Sequence, residues 1–362
     1  MTNHITTQNG VQKREFNMDI ERVLLIFMVI VLHYNNRAMG GALNYGYVGG
    51  IVEFLVRLSE SMCICAVDAF LILSGYFAAG GFGSSNNIRK SILLLASCSF
   101  YRVVGYVIYA TFVTGGFSVR TFVAYLIPSN WYVCLFATVL LLSPYINRLM
   151  GLLGDWSRRE FIITTSVLFV VVPTFVSLVT DILNVDLSGL ATITLNGDID
   201  GFTIVCFIFC YCLGYFLRKE KEYCDKISIT NYCFFFLCTS LVATVISYKS
   251  ERVWSYSDIF TVLEAVTLTL AFSKLNVRSV RVGKIFSEIG KCGLGIFVWH
   301  TMPLMIFGFW VHLNIDQISN GNVWQYIGNF WVATLSMYAL SLVWVWSAGK
   351  LTKVVRHLNR QG

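Results

Sequence analysis

The amino-acid sequence predicts an all-α, polytopic integral membrane bundle of about ten transmembrane helices with both termini in the cytoplasm, and three observations carry that prediction. Apolar residues make up 56% of the 362 residues and charged residues only 13%, at a mean hydropathy of +0.66. A soluble chain of this length has no use for so much apolar surface, whereas a bundle facing lipid does. Ten apolar runs follow one another, each near the ~20 residues that a bilayer core demands. Basic residues also alternate: 18 of the 27 Lys and Arg fall in the N-terminal segment, the even-numbered connections and the C-terminal tail, against four in the odd-numbered connections.

The first run, 19–37, follows a polar segment and has no small-residue cleavage site behind it, so it is expected to be retained. The second (60–80) and third (91–113) flank the basic pair Arg89 and Lys90. The fourth (129–148) opens on Asn130, Trp131 and Tyr132. The fifth (161–182) and sixth (201–217) are joined by a connection with Asp186, Asp198 and Asp200 and no base. The seventh (230–248), eighth (255–273), ninth (285–310) and tenth (325–348) complete the set. Residues 1–18 read as a cytoplasmic segment, 19–350 as one transmembrane domain and 351–362 as a basic cytoplasmic tail.

The runs are continuous rather than alternating, which excludes a closed β-barrel. The bias of basic residues follows the positive-inside pattern, so the net charge of +7 is a topology signal and no nucleic-acid partner is expected. The sequence contains no internal repeat and no paired Gly/Pro-broken runs of the kind that mark many transporters. Eleven cysteines include Cys63, Cys65, Cys206, Cys210 and Cys212 inside apolar runs, where thiols act as packing groups. No spacing resembles a zinc site, so no metal is expected.

Ionisable groups inside a membrane are costly, and each is a functional candidate for that reason. The first run carries Asp19, Glu21, Arg22 and His33. Eleven residues at 100° each bring Arg22 and His33 to within about 20° of one another on the helix, about 16 Å apart along its axis. Asp19 lies one turn from Arg22. One face thus offers an anion-binding cation near the cytoplasmic mouth and an imidazole deep inside, able to take a proton at neutral pH. A packed histidine and a boundary arginine are the bland alternative. Asp68, in mid-run, needs a partner, for which Arg22, His33 and Arg102 are the options. Glu53, Arg57 and Glu60 have the spacing of a local ion-pair face. Ser74 and Gly75 suit close helix approach as well as substrate contact.

The segment DIERVLLIFMVIVLHYN, with Arg22, ten residues and then His33, resembles the opening of the membrane acyltransferase-3 family, which includes bacterial polysaccharide and O-antigen O-acetyltransferases. VDAFLILSGYF (Val67 to Phe77), WYVCLFATVLLLSPYINRL (Trp131 to Leu149) and IGKCGLGIFVWH (Ile289 to His300) resemble that family's second, fourth and late spans, in order, and the likeness runs from about residue 17 to 350. Relatives often carry Ser and Tyr where this chain has Gly293 and Phe297, so no hydroxyl is expected to orient His300 from those positions.

The resemblance implies a cell inner-membrane O-acetyltransferase that uses cytoplasmic acetyl-CoA as a substrate, with no tightly bound cofactor, and modifies a cell-surface polysaccharide or its lipid-linked saccharide precursor. His33 is then the general base, with Arg22, Asp19 and Asp68 as its catalytic companions. Arg89, Lys90, Ser74 and Arg102 are expected to bind acyl-CoA, whose phosphates suit Arg and Lys donors. Asn130, Trp131, Tyr132 and His300 are expected on the acceptor, aromatics being apt to stack on sugar faces. Rival readings are a transporter or flippase of glycan intermediates, a membrane sensor with a decayed site, and transfer of a different short acyl group.

Overall fold

Fifteen helices account for the regular structure of the described residues, which are 15–45, 49–79, 87–185, 187–190, 201–301 and 322–358 of a computed structural model. In chain order they are α1 (Phe16–Asn35), α2 (Gly50–Ile64), α3 (Ala66–Phe77), α4 (Asn87–Tyr109), α5 (Val119–Leu126), α6 (Trp131–Leu152), α7 (Asp155–Ser166), α8 (Val172–Leu183), α9 (Ile204–Lys219), α10 (Lys221–Cys224), α11 (Ile229–Ser247), α12 (Ile259–Ser273), α13 (Val280–Lys291), α14 (Gly293–Trp299) and α15 (Val323–Leu358). Wide π turns extend α4 over Ala110–Thr114 and join α7 to α8 over Val167–Val171. There is no strand among the described residues.

Every predicted apolar run falls on a helix, although 302–310 of the ninth and the acidic connection's Asp186, Asp198 and Asp200 lie outside the described residues. Helices begin where a polar residue can cap them: Ser118, Asn130, Thr203, Ser228, Asp258 and Ser279 each accept a first-turn backbone N–H, which satisfies donors the helix itself cannot. The second run starts earlier than predicted, at Gly50, and is broken at Cys65 into α2 and α3.

Among the described residues, five helical stretches are long and apolar enough to cross a membrane: Asn87–Thr114, Val119–Leu152, Asp155–Leu183, Ile229–Ser247 and Val323–Lys350. Only 28% to 33% of each one's apolar window is buried within the protein, which leaves broad faces for lipid. The interior is built by the others, chiefly α1, α3, α9 and α12. These are shorter or carry charge because they are surrounded by protein. α1 packs against α2, α3, α12, α13, α14 and α15.

The tightest crossing joins α3 to α9. A Cβ on Gly75 would lie 1.9 Å from the Tyr211 carbonyl oxygen, and one on Gly214 would lie 1.8 Å from that of Ile72. Only glycine permits this backbone approach. The helix directions follow from the contacts. Asn17 donates to the Phe272 carbonyl (2.8 Å) and Glu21 accepts from Thr269 (2.7 Å), so α12 runs antiparallel to α1. Phe16 covers Gly283 while His33 meets His300, so α13 and α14 run parallel to α1.

Candidate functional site

α1 ends at a cavity of about 520 Å³, and His33, in its last turn, forms part of the wall. The floor is apolar, with Val29, Leu32, Ile64, Val67, Phe297 and Val298. The mouth, at the helix ends, is polar and aromatic, with Asn36, Asn130, Trp131, Trp254 and Tyr256, and Glu60, buried within α2, adds a carboxyl group to the wall. Its walls come from connections that are far apart in sequence: the turn after α1, the N-terminus of α6, the entry to α9, and the segment between α11 and α12.

His300, buried at the C-cap of α14, faces His33 with the ring centroids 4.5 Å apart, edge to face. Its Nε2 lies 3.1 Å from His33 Nδ1. Two backbone carbonyls fix the protons. Val29 O is 2.8 Å from His33 Nδ1, and Ile296 O is 3.2 Å from His300 Nδ1. A carbonyl can only accept, so each neutral ring carries its proton on Nδ1. The His300 Nε2 lone pair then accepts from the His33 Nδ1–H, which it shares with Val29. His33 is left with an Nε2 lone pair, which is what a general base requires. His300, expected on the acceptor, lines the cavity and is also the direct neighbour of His33.

At the other end of α1, Arg22 donates to Asp19 at 2.8 Å and lies 4.7 Å over the Phe77 ring. Arg218 stacks 4.7 Å over Tyr76 and pairs with Glu15 at 3.0 Å. Two guanidiniums thus rest on the adjacent aromatic residues that end α3. Between Arg22 and His33 the buried face of α1 is filled by Leu25, Met28 and Val29. Arg22 and His33 therefore mark two ends of one helix, and Arg22 does not line the cavity at His33.

Asp68 corrects an expectation. Fully buried, it is partnered by neither Arg22 nor His33 nor Arg102; it faces Cys206 and Cys210 of α9, with the ligand-capable atoms of all three within 4.8 Å of one another. Among the described residues this is the one cluster that could hold a metal ion, and three ligands are one short of a closed tetrahedral site. The ion-pair face on α2 is also only half realised. Arg57 binds Glu53 at 2.9 Å, while Glu60 accepts from Asn35 Nδ2 at 2.9 Å.

The residues expected on acyl-CoA do not converge. Arg89 and Lys90 are exposed in the first turn of α4. Arg102, about 20 Å further along the same helix, bonds to Ser129 and lies 5.1 Å over the Tyr125 ring. Ser74 donates back to the Phe70 carbonyl at 2.8 Å, leaving its hydroxyl proton committed within α3. On the acceptor side, Asn130 caps α6 and lines the cavity, Trp131 lines the mouth, and Tyr132 is buried against Phe136 and Phe297. Sequence reading passed over Glu264, a carboxylate buried in mid-α12, and the wall residues Trp254 and Tyr256, and it placed Glu60 on an ion-pair face rather than in the cavity wall. A charge inside an apolar run was the available signal for Glu264; the wall residues carry none, because they meet only in the fold.

A family model described as an acyltransferase domain matches residues 15–348, and the chain belongs to this acyltransferase-3 family. No curated protein and no solved structure matches the chain.

Proposed function

We propose that this multi-pass membrane acyltransferase moves an acetyl group from cytoplasmic acetyl-CoA to a hydroxyl of a cell-surface saccharide or its lipid-linked precursor, with His33 as the general base. The carrying observation is the state of His33: its Nδ1 proton is committed to Val29 and His300, and its ring lines an open cavity. The acceptor hydroxyl loses its proton to Nε2 and its oxygen attacks the thioester carbonyl. The tetrahedral intermediate collapses with loss of the CoA thiolate, which takes the same proton back. Proton and acyl group both balance, so no acyl-enzyme is required. The imidazolium formed in between keeps its Nδ1–H on a neutral acceptor, His300 Nε2.

The positive-inside bias puts the cavity mouth on the side opposite the cytoplasm and Arg22 near the cytoplasmic face of the cell membrane. The acceptor then enters by the mouth. The CoA headgroup stays with the basic groups at the other end, Arg22 with Arg89 and Lys90, and its thin pantetheine arm spans the ~16 Å along α1 to His33. Met28, flexible and unbranched, is the kind of side chain that can move aside for it.

The test is transfer from radiolabelled acetyl-CoA to the glycan fraction of membranes that carry the wild type or His33→Ala. Label is expected with the wild type, and a loss of about 10²- to 10⁴-fold with the variant, the usual worth of a positioned base. Full transfer by a normally folded His33→Ala protein would remove His33 from the mechanism.

A further inference from the structure

Three charged groups line the cavity: Glu60, Glu251 and Arg252. Two of them are matched by partners of their own. Glu251 is held by Arg37 through both oxygens, at 2.5 and 2.7 Å, with Arg57 at 3.5 Å. Arg252 pairs with Asp181 at 3.2 Å. Among the described residues Glu60 makes no ion pair; its carboxylate accepts a hydrogen bond from the Asn35 amide at 2.9 Å. Arg57, one turn back on the same helix, is committed to Glu53 and to the Ser247 carbonyl, each at 2.9 Å. The wall thus presents a carboxyl group with spare accepting capacity and no unspent arginine beside it.

The same cavity is lined by a braced aromatic. Trp131, 38% exposed, is braced by Phe202, Tyr256 and Phe207 with ring centroids 4.4, 5.6 and 5.9 Å away. Trp254 is fixed in turn by its Nε1–H on Ser61 Oγ at 2.9 Å. An aromatic face and an accepting carboxyl in one cavity suit a ring with apolar C–H faces and hydroxyl edges. They suit an anion poorly, because a second carboxylate or a phosphate would meet Glu60 while the nearby arginines, Arg37, Arg57 and Arg252, are each already paired with a carboxylate.

We propose that this mouth is the acceptor subsite and that Glu60 makes it selective for uncharged saccharides: Glu60 accepts hydroxyls of a ring stacked on Trp131 and repels acidic sugars. The proposal rests on the acyl-transfer reading above. Nothing in it requires Glu60 to take part in the chemistry at His33.

The experiment uses the full chain in nanodiscs with acetyl-CoA and a matched pair of acceptors, a glucoside and the corresponding glucuronide. CoA thiol release and acetylated product are both measured. The wild type should favour the glucoside by about tenfold or more in kcat/KM, the scale of a like-charge penalty. Glu60→Gln, which keeps the shape and the Asn35 contact, should bring the ratio near one by raising activity on the glucuronide, with the KM for acetyl-CoA unchanged. Trp131→Ala should raise the KM for both acceptors and leave their ratio alone. A wild type that uses both acceptors equally, or a Glu60→Gln protein with an unaltered ratio, overturns the inference while leaving acyl transfer standing. A wild type that acetylates only hydroxyl compounds other than saccharides overturns it as well. If neither thiol nor acetyl product appears with any acceptor, the transfer reading falls and takes this inference with it.

Discussion

His33 is constrained at one nitrogen and available at the other, and His300 supplies half of that constraint. In the proposed mechanism a second imidazole does what a carboxylate does behind many catalytic histidines, with no charge to compensate in a low-dielectric bundle. The contribution can be read from two substitutions. His300→Phe removes the acceptor, so the His33 Nδ1–H keeps only Val29 and the ring is freer to turn. We expect kcat to fall by about tenfold, the value of one hydrogen bond of ~1.4 kcal/mol, with the acceptor KM little changed. His300→Gln can present an amide oxygen to the same proton and should recover part of the loss. Equal losses in both variants, accompanied by a lower unfolding temperature, would reduce His300 to packing. His33 was readable at this scale because the helical period puts it over Arg22. His300 was singled out, but its role was not legible: a contact across 267 residues has no local spacing to betray it.

At the scale of elements, the decisive joint is the α3–α9 crossing, since it holds Asp68 against Cys206 and Cys210 and sets α3 beside α1. With the two backbones in direct contact, a single methyl has nowhere to go. Gly75→Ala or Gly214→Ala should therefore separate the helices and cost on the order of 1–3 kcal/mol, as overpacking does. The check is a lower thermal midpoint for the detergent-solubilised protein, alongside Gly154→Ala, whose added Cβ meets nothing within 4 Å, as the neutral control. A Gly75→Ala protein as stable as the parent would show that the crossing has slack. Helices as such were legible, because apolar length is a property of the run itself. Their interruptions were not. The break at Cys65 and the split of the ninth run at Cys292 carry no Pro, and a turn made by packing leaves no mark in composition. Asp68 escaped for the same reason: its need for a partner was clear, but thiols four residues apart on α9 looked like ordinary filling.

Across the whole molecule, five helical stretches among the described residues are long and apolar enough to cross a membrane, while the ten apolar runs with their alternating basic connections predict ten crossings, and the helix directions bear on the difference. Asp68 near the start of α3 meets Cys206 and Cys210, and Gly75 near its end meets Tyr211 and Tyr215, so α3 and α9 run parallel. Three long apolar stretches lie between them in the chain, which returns it to the same direction. Tyr34, at the end of α1, meets Asn329 near the start of α15, so these two are antiparallel, as a first and a tenth crossing must be. Of the interior helices, α3, α9 and α12 are short and α1 carries Asp19, Glu21 and Arg22, yet the directions of these pairs are those that ten crossings predict. Thiol labelling in intact cells tests this. Gly116→Cys and Gly154→Cys both add a side chain into open space, one in an odd and one in an even connection. A membrane-impermeant maleimide should add mass to the Gly116→Cys protein and leave the Gly154→Cys protein like its parent until the cells are opened. The opposite pattern would invert the molecule, place the mouth at His33 in the cytoplasm, and force donor and acceptor to exchange sides. Labelling of both in intact cells would break the alternation between α4 and α7 and with it the ten-crossing count.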